Sequence, residues 1–166
     1  MKRRTLIFTG LAAAIVSACT SNSKFKTYRG PKVTYIIVNK SERKMFLFHN
    51  NTVLKEYDFD LGFSPIGDKF FEGDGRTPEG TYFIDRRNPN SKYHLSIGIS
   101  YPNARDRAEA ATLGKPPGGD IFIHGESNRL KLGKNDWTWG CIAVPNREME
   151  EIYSMVQNGT PIKINP

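Results

Sequence analysis

Cys141 stands in Trp139-Gly140-Cys141-Ile142, directly after a glycine. A glycine there lets the backbone turn tightly, which exposes the sulfur and aims neighbouring N–H groups at a developing oxyanion. Upstream, His124 closes the apolar run Ile121-Phe122-Ile123 and is followed by Gly125, with sixteen residues between His124 and Cys141. An imidazole at a strand end is well placed to take a proton from a thiol, and the imidazolium formed would stabilise the thiolate. Isolation alone leaves three readings of Cys141 open: an inert buried thiol, a handle for an intermolecular bridge, or a nucleophile. Its setting makes chemistry by Cys and His the leading one.

The chain has one other cysteine, Cys19, so at most one internal bridge can form. A disulfide-stapled miniprotein and a four-thiolate zinc site are both excluded. Residues 1–18 have the three parts of a secretory signal: Lys2-Arg3-Arg4, an apolar run from Leu6 to Val16, and Ser17-Ala18. The run is shorter than the roughly 20 apolar residues of a spanning helix. Val16-Ser17-Ala18-Cys19 resembles the lipobox of bacterial lipoproteins, which implies lipidation of Cys19. Ordinary cleavage near Ala18, leaving a soluble periplasmic protein, is the alternative. Thr20 rather than Asp after the cysteine implies, by the same resemblance, the outer membrane. With Cys19 lipidated, Cys141 has no intramolecular partner in a compartment that oxidises unpaired thiols.

The 166 residues carry 24 Lys and Arg against 17 Asp and Glu, a net +7. Three of those positive charges belong to the leader, leaving +4. The remainder is mixed, with Arg86-Arg87 beside Asp85 and with Arg105 and Arg107 flanking Asp106, so a solvated surface is expected rather than a nucleic-acid partner. A hydrophobic share of 38% with 25% charged residues excludes wholesale disorder and a multi-spanning membrane protein. His49, His94, His124 and Cys141 show no H-x-H or HExxH spacing, so no metal site is expected.

The length suits one domain, taken as residues 32–166, after a tether over 19–31 that is polar and ends in Gly30-Pro31. Val33 to Val38, Met45 to Phe48 and Val53 to Leu61 predict an antiparallel meander, with Val53, Tyr57, Phe59 and Leu61 on its buried face. Gly62 to Gly80 is dense in Gly and Pro and predicts loop. Further strands are expected at Thr81–Asp85, His94–Ile99, Ile121–His124 and Pro161–Ile164. A helix is expected over Arg105–Leu113, and another is capped by Asn146, buries Met149, Ile152, Tyr153 and Val156, and is ended by Gly159. The fold class is therefore mostly β with short helices.

The ordered segments RTPEGTYFI, ISYPN, GGDIFIHG and TWGCIAVPN between Gly75 and Asn146 resemble the catalytic domain of the L,D-transpeptidases, the YkuD-type family of peptidoglycan enzymes. The likeness in kind extends over roughly residues 32–165. It implies a mixed β-sandwich, Cys141 as nucleophile, His124 as general base and Gly125 as the residue whose carbonyl orients the imidazole. Thr138 and Gly140 match further motif positions, Thr138 being expected with His94 and Trp139 in substrate contact, and the N–H groups of Gly140 and Cys141 are the implied oxyanion donors. His94 falls in a segment that, by resemblance, borders the substrate groove; its alternative is a partly buried strand residue. Trp137 and Trp139 are open between stacking on substrate and packing. Two positions depart from the motif: Trp139 where many members have His, and Ala143 where many have Arg. The implied partners are peptidoglycan stem peptides, with no cofactor. The branch resembled includes hydrolases that detach Braun's lipoprotein, so hydrolysis competes with transfer, and a non-catalytic wall-binding lipoprotein is the remaining alternative.

Overall fold

The computed structural model describes residues 23–126 and 136–166. The leader and Cys19 lie outside the described residues. Strands β1 (Tyr35–Asn39), β2 (Lys44–His49) and β3 (Thr52–Asp58) form the antiparallel meander that the alternation predicts. Ile36, Val38, Met45 and Leu47 are fully buried, because successive strand side chains point to opposite faces. A register shift between Leu47 and Phe48 breaks the expected pattern in β3, so Tyr57 is buried but Val53 is 49% exposed. The strand also ends at Asp58 rather than Leu61. Beyond it, Asp60 and Gly62 make isolated bridges to Ala143 and Thr138.

The other strands are β4 (Gly80–Asn88), β5 (Ser96–Ile99), β6 (Phe122–His124), β7 (Ile142–Ala143) and β8 (Pro161–Asn165). The eight strands follow the order β3-β2-β1-β8-β4-β5-β6-β7. The sheet is mixed: β8 runs parallel to β1 and β7 parallel to β6, while the other pairs are antiparallel. β4 serves both halves, pairing β8 through Gly80–Phe83 and β5 through Ile84–Asn88, with a register shift between Ile84 and Arg86. A bulge bends the bulged strand and increases local twist. The sheet curls so that both halves contribute to one apolar cluster, with Val38, Leu47 and Ile164 from one half and Ile97, Ile123 and Ile142 from the other.

Two helices complete the described fold. α1 (Ala104–Thr112) begins at Asn103, whose side chain accepts from Arg105 N and Asp106 N while Asp106 bonds back to Asn103 N. α2 (Asn146–Met155) buries Met149, Ile152 and Met155. Asn146 is not its cap, since Pro145 occupies that position without a side-chain bond. The Asn146 amide instead accepts from Glu126 N at 2.7 Å and donates to Glu126 Oε1 at 3.1 Å, fixing the chain just after His124-Gly125. The helix also stops before Gly159, which occupies a later turn at φ 86°. Among the described residues no helix is long and apolar enough to cross a membrane.

Ile123 is fully buried at the centre of β6. Ile123→Ala is expected to lower unfolding free energy by about 3 kcal/mol, read from urea denaturation. A loss under about 1 kcal/mol would show that this half of the sheet is not part of the cooperative core.

Candidate active site

Strand β6 delivers His124, which is 3% exposed and pairs with Ser96 of β5. The imidazole Nδ1 lies 2.6 Å from the carbonyl oxygen of Gly125. A carbonyl only accepts, so Nδ1 carries the proton and, in the neutral ring, Nε2 is left as the base. Tyr93 stacks on the ring at 4.4 Å between centroids and 26°, and Trp137 meets its edge at 5.9 Å. Gly125 is closely enclosed: a Cβ there would come within 2.5 Å of Asn146 Oδ1 and 2.8 Å of the Tyr93 carbonyl.

Strand β7 delivers Cys141. The parallel register pairs Ile123 with Ile142 and His124 with Ala143. One step earlier, Cys141 falls beside Phe122, and residues two apart on a strand share a face, so Cys141 and His124 project to the same side. Both line a cleft of about 500 Å³, together with Tyr93, Ser96, Asp120 and Phe122. The Phe122 N–H donates to the sulfur at 3.4 Å, and the thiol donates to the Asp120 carbonyl at 3.5 Å. The thiol proton is therefore held by backbone in this arrangement and not by the imidazole.

Burial pushes the Cys141 thiol above its ordinary value; Asp120 acts in the same sense, and the Phe122 N–H and Lys69 oppose it without reversing it. Burial also pushes His124 below its ordinary value, against the bond to the Gly125 carbonyl and the charge of Glu126. Both shifts favour the uncharged forms, thiol and neutral imidazole. The arrangement can serve general-base chemistry on a protonated thiol, rather than start from a thiolate–imidazolium pair.

The loop before Cys141 is fixed by backbone crowding. Gly140 has φ 119°, and a Cβ on it would sit 2.5 Å from the Arg76 carbonyl, so only glycine fits. Thr138 is 3% exposed, donates to the Cys141 carbonyl at 2.7 Å and accepts from Gly140 N at 3.2 Å. It staples the turn and lines neither cleft, which corrects its expected place in substrate contact. The same bond engages the Gly140 N–H, so that amide is not available as an oxyanion donor in this arrangement. Trp139 is 71% exposed, with its ring edge-on to Phe63 at 5.0 Å. It lines a second cleft of about 380 Å³ that also reaches Cys141.

Ala143 is fully buried and exchanges two 2.9 Å backbone bonds with Asp60, so an arginine at this position would have to enter the core. A fixed cation missed by sequence reasoning lies elsewhere: Lys69, 3% exposed, lines the second cleft and donates to Asp74 at 2.8 Å and to the Phe71 carbonyl at 3.0 Å. Burial disfavours the Asp74 carboxylate, but Lys69 and the N–H groups of Arg76, Phe70 and Phe71 outweigh it and hold the carboxyl below its ordinary value. Asp120, with φ 55° and a side chain 89% exposed, borders both clefts. His94 is neither a strand residue nor among those lining the two clefts. Its φ is 71° and its Nε2 lies 3.0 Å from Glu150 on α2. Tyr93, directly before it, is the residue that meets the imidazole. Among the described residues no three or more His, Cys, Asp or Glu are grouped to hold a metal ion.

A curled mixed sheet with His124 on one strand and Cys141 directly before the parallel neighbouring strand defines a class. The sequence profile of the L,D-transpeptidase catalytic domain, YkuD type, matches residues 33–164, and the chain belongs to this family. YafK of Escherichia coli (strain K12) is 28% identical over 155 residues, covering 90% of this chain and 57% of YafK. YkuD of Bacillus subtilis (strain 168) is 30% identical over 131 residues, covering 79% of this chain and 65% of YkuD. The helical cell shape determining protein Pgp2 of Campylobacter jejuni superposes with a TM-score of 0.59 at 27% identity, over 87% of this chain and 51% of that one. At 18% identity, the Enterococcus faecium L,D-transpeptidase shares the fold, with a TM-score of 0.51 over 81% of this chain and 50% of its own. The chain thus spans about half to two thirds of the length of the relatives it matches.

The two shifts fix a pH dependence. Alkylation of Cys141 by iodoacetamide is expected to rise with a midpoint above the usual thiol value of about 8.5. Because a lowered imidazole stays neutral to lower pH, the acid limb of turnover is expected below about pH 6.5. A thiol midpoint near 5, with turnover persisting to the same pH, would show a preformed ion pair instead.

Proposed function

We propose that the chain is a cysteine-dependent peptidoglycan L,D-transpeptidase. The observation that carries this reading is the single cleft lined by both Cys141 and His124, with Nδ1 tied to Gly125 so that Nε2 is the basic nitrogen. The thiol proton passes to His124 Nε2, and the sulfur attacks the carbonyl between an L-centre and a D-centre of a stem peptide. The oxyanion is met by the Cys141 amide, a donor of the kind worth about 3 kcal/mol in hydrolases. Collapse breaks the C–N bond, the imidazolium returns its proton to the departing D-alanine amine, and a thioester on Cys141 remains. An amine of a second stem then attacks the thioester, giving its proton to His124; the C–S bond breaks, the sulfur takes that proton back as the Cys141 thiol, and a cross-link remains.

The second cleft supports transfer, because it offers an acceptor its own approach to the sulfur. Glu72 and Asp120 line it, and the charge of Lys69 is matched by Asp74, which suits an amine-bearing acceptor. A second reading, hydrolysis of stem peptides or of links to Braun-type lipoprotein, is favoured by the departures at Trp139 and Ala143, which leave the motif without its arginine. Water then takes the place of the amine. Purified protein with tetrapeptide muropeptides is expected to release D-alanine and form cross-linked dimers, all lost in Cys141→Ala. Tripeptides alone would establish the hydrolase. No product from these or from lipoprotein-linked muropeptides, with folded protein, would leave the non-catalytic wall-binding lipoprotein.

From residues 1–19 we read a periplasmic, outer-membrane protein anchored by lipid on Cys19. Metabolic labelling with a palmitate analogue is expected to mark the wild type and not Cys19→Ser. Labelling of neither would mean ordinary cleavage and a soluble periplasmic protein.

A further inference from the structure

The residues leading into β1 are packed against the wall of the His124 cleft. Lys24 Nζ donates to the carbonyls of Pro89 at 2.7 Å and His94 at 3.1 Å, near the two ends of the loop joining β4 to β5. Phe25 lies against Tyr153 of α2 with ring centroids 6.4 Å apart, and Lys26 pairs with Glu150 at 3.1 Å. Glu150 also holds His94 Nε2 at 3.0 Å. Both lysines therefore converge on one residue, Lys24 on the His94 carbonyl and Lys26, through Glu150, on its ring.

His94 needs holding. Its φ of 71° lies in the left-handed region, where a side chain bearing Cβ is strained. The Leu95 N–H donates back to the Tyr93 carbonyl at 2.9 Å, closing a three-residue turn around His94. What the turn fixes is Tyr93, whose carbonyl accepts the Gly125 N–H at 3.0 Å and whose ring stacks on His124 at 4.4 Å. A continuous chain of contacts thus runs from Lys24 to the imidazole.

We propose that Lys24 is a positioning residue for the reaction: by tying the 89–94 loop at both ends it keeps His94 in its turn and Tyr93 over the His124 imidazole. The segment before β1 is then a working part of this active site. The inference rests on reading His124 as the base. Lysine suits the task because one ammonium has three donors and meets two carbonyls at once, which a methionine of similar length does not.

The test compares purified wild type, Lys24→Met, Lys24→Arg and Tyr93→Leu. The ring proton of His124 between its nitrogens feels the Tyr93 ring current, so its NMR shift in Tyr93→Leu marks the unstacked position. Lys24→Met is expected to move this resonance at least halfway to that mark and to slow turnover of tetrapeptide about tenfold, with KM within about twofold. Lys24→Arg is expected to restore both, and the melting temperatures to stay within a few degrees. An unmoved His124 resonance in Lys24→Met overturns the proposal, as does a loss of turnover that Lys24→Arg does not repair. Should wild-type protein turn over no muropeptide, the reaction assigned above fails, while the resonance still reads the effect of Lys24 on His124.

Discussion

The parallel pairing of β6 with β7 sets the relation between His124 and Cys141, and most of the surrounding structure holds that pairing in place. β7 is two residues long and could not persist as an edge strand on its own. It is secured on its other side by the double backbone exchange between Ala143 and Asp60, and further along by the Val144 N–H to the His124 carbonyl at 2.9 Å. The Thr138 N–H reaches the Leu61 carbonyl, and the Phe63 N–H returns to the Thr138 carbonyl. Three backbone segments meet so closely here that Gly62 has no room for a Cβ against Gly75, nor Gly140 against Arg76. The Gly- and Pro-rich stretch Gly62–Gly80 is therefore irregular because it must pass under the loop leading to Cys141 at contact distance.

Enclosure decides the electrostatics. With burial raising the thiol and lowering the imidazole, proton transfer from Cys141 to His124 is unfavourable in the free enzyme. On the proposed function, it becomes favourable only as negative charge moves from sulfur to the carbonyl oxygen of a bound substrate, where the Cys141 amide awaits it. A resting thiol of this kind is also a poor target for oxidation, which proceeds through the thiolate. The same burial that keeps the thiol protonated thus protects a free cysteine.

The first three strands were legible because one face is buried and the pattern has period two; the exception, Val53, follows from a bulge that no composition signals. That Cys141 and His124 share one cleft was legible from their glycine neighbours and family motif, since each glycine answers a local steric demand. Lys69 and Asp120 were not, because their relevance depends on loops 72 and 21 residues from Cys141 being folded against it. Asn146 misled for a related reason: its amide has helix-cap chemistry, but Glu126 across the site competes for it and wins. His94 misled in the opposite way. The motif placed the right segment at the cleft, yet the left-handed turn sends its ring to Glu150 and leaves Tyr93 facing His124.

The segment before β1 shows how little energy such placement requires. An ion pair as open as Lys26 with Glu150 contributes at most about 1 kcal/mol, because water screens it and two side chains lose freedom. Such contacts scarcely alter the stability of the domain, whose core lies elsewhere. Rates respond differently, since a displacement of about 1 Å in a reacting group can change turnover by about a hundredfold. The imidazole has one strong tether, at Nδ1, which leaves rotation about that contact to be limited by the rings stacked on it. Whatever holds Tyr93 thus acts on the direction of Nε2, and weak contacts at the loop ends control a degree of freedom that the core cannot reach.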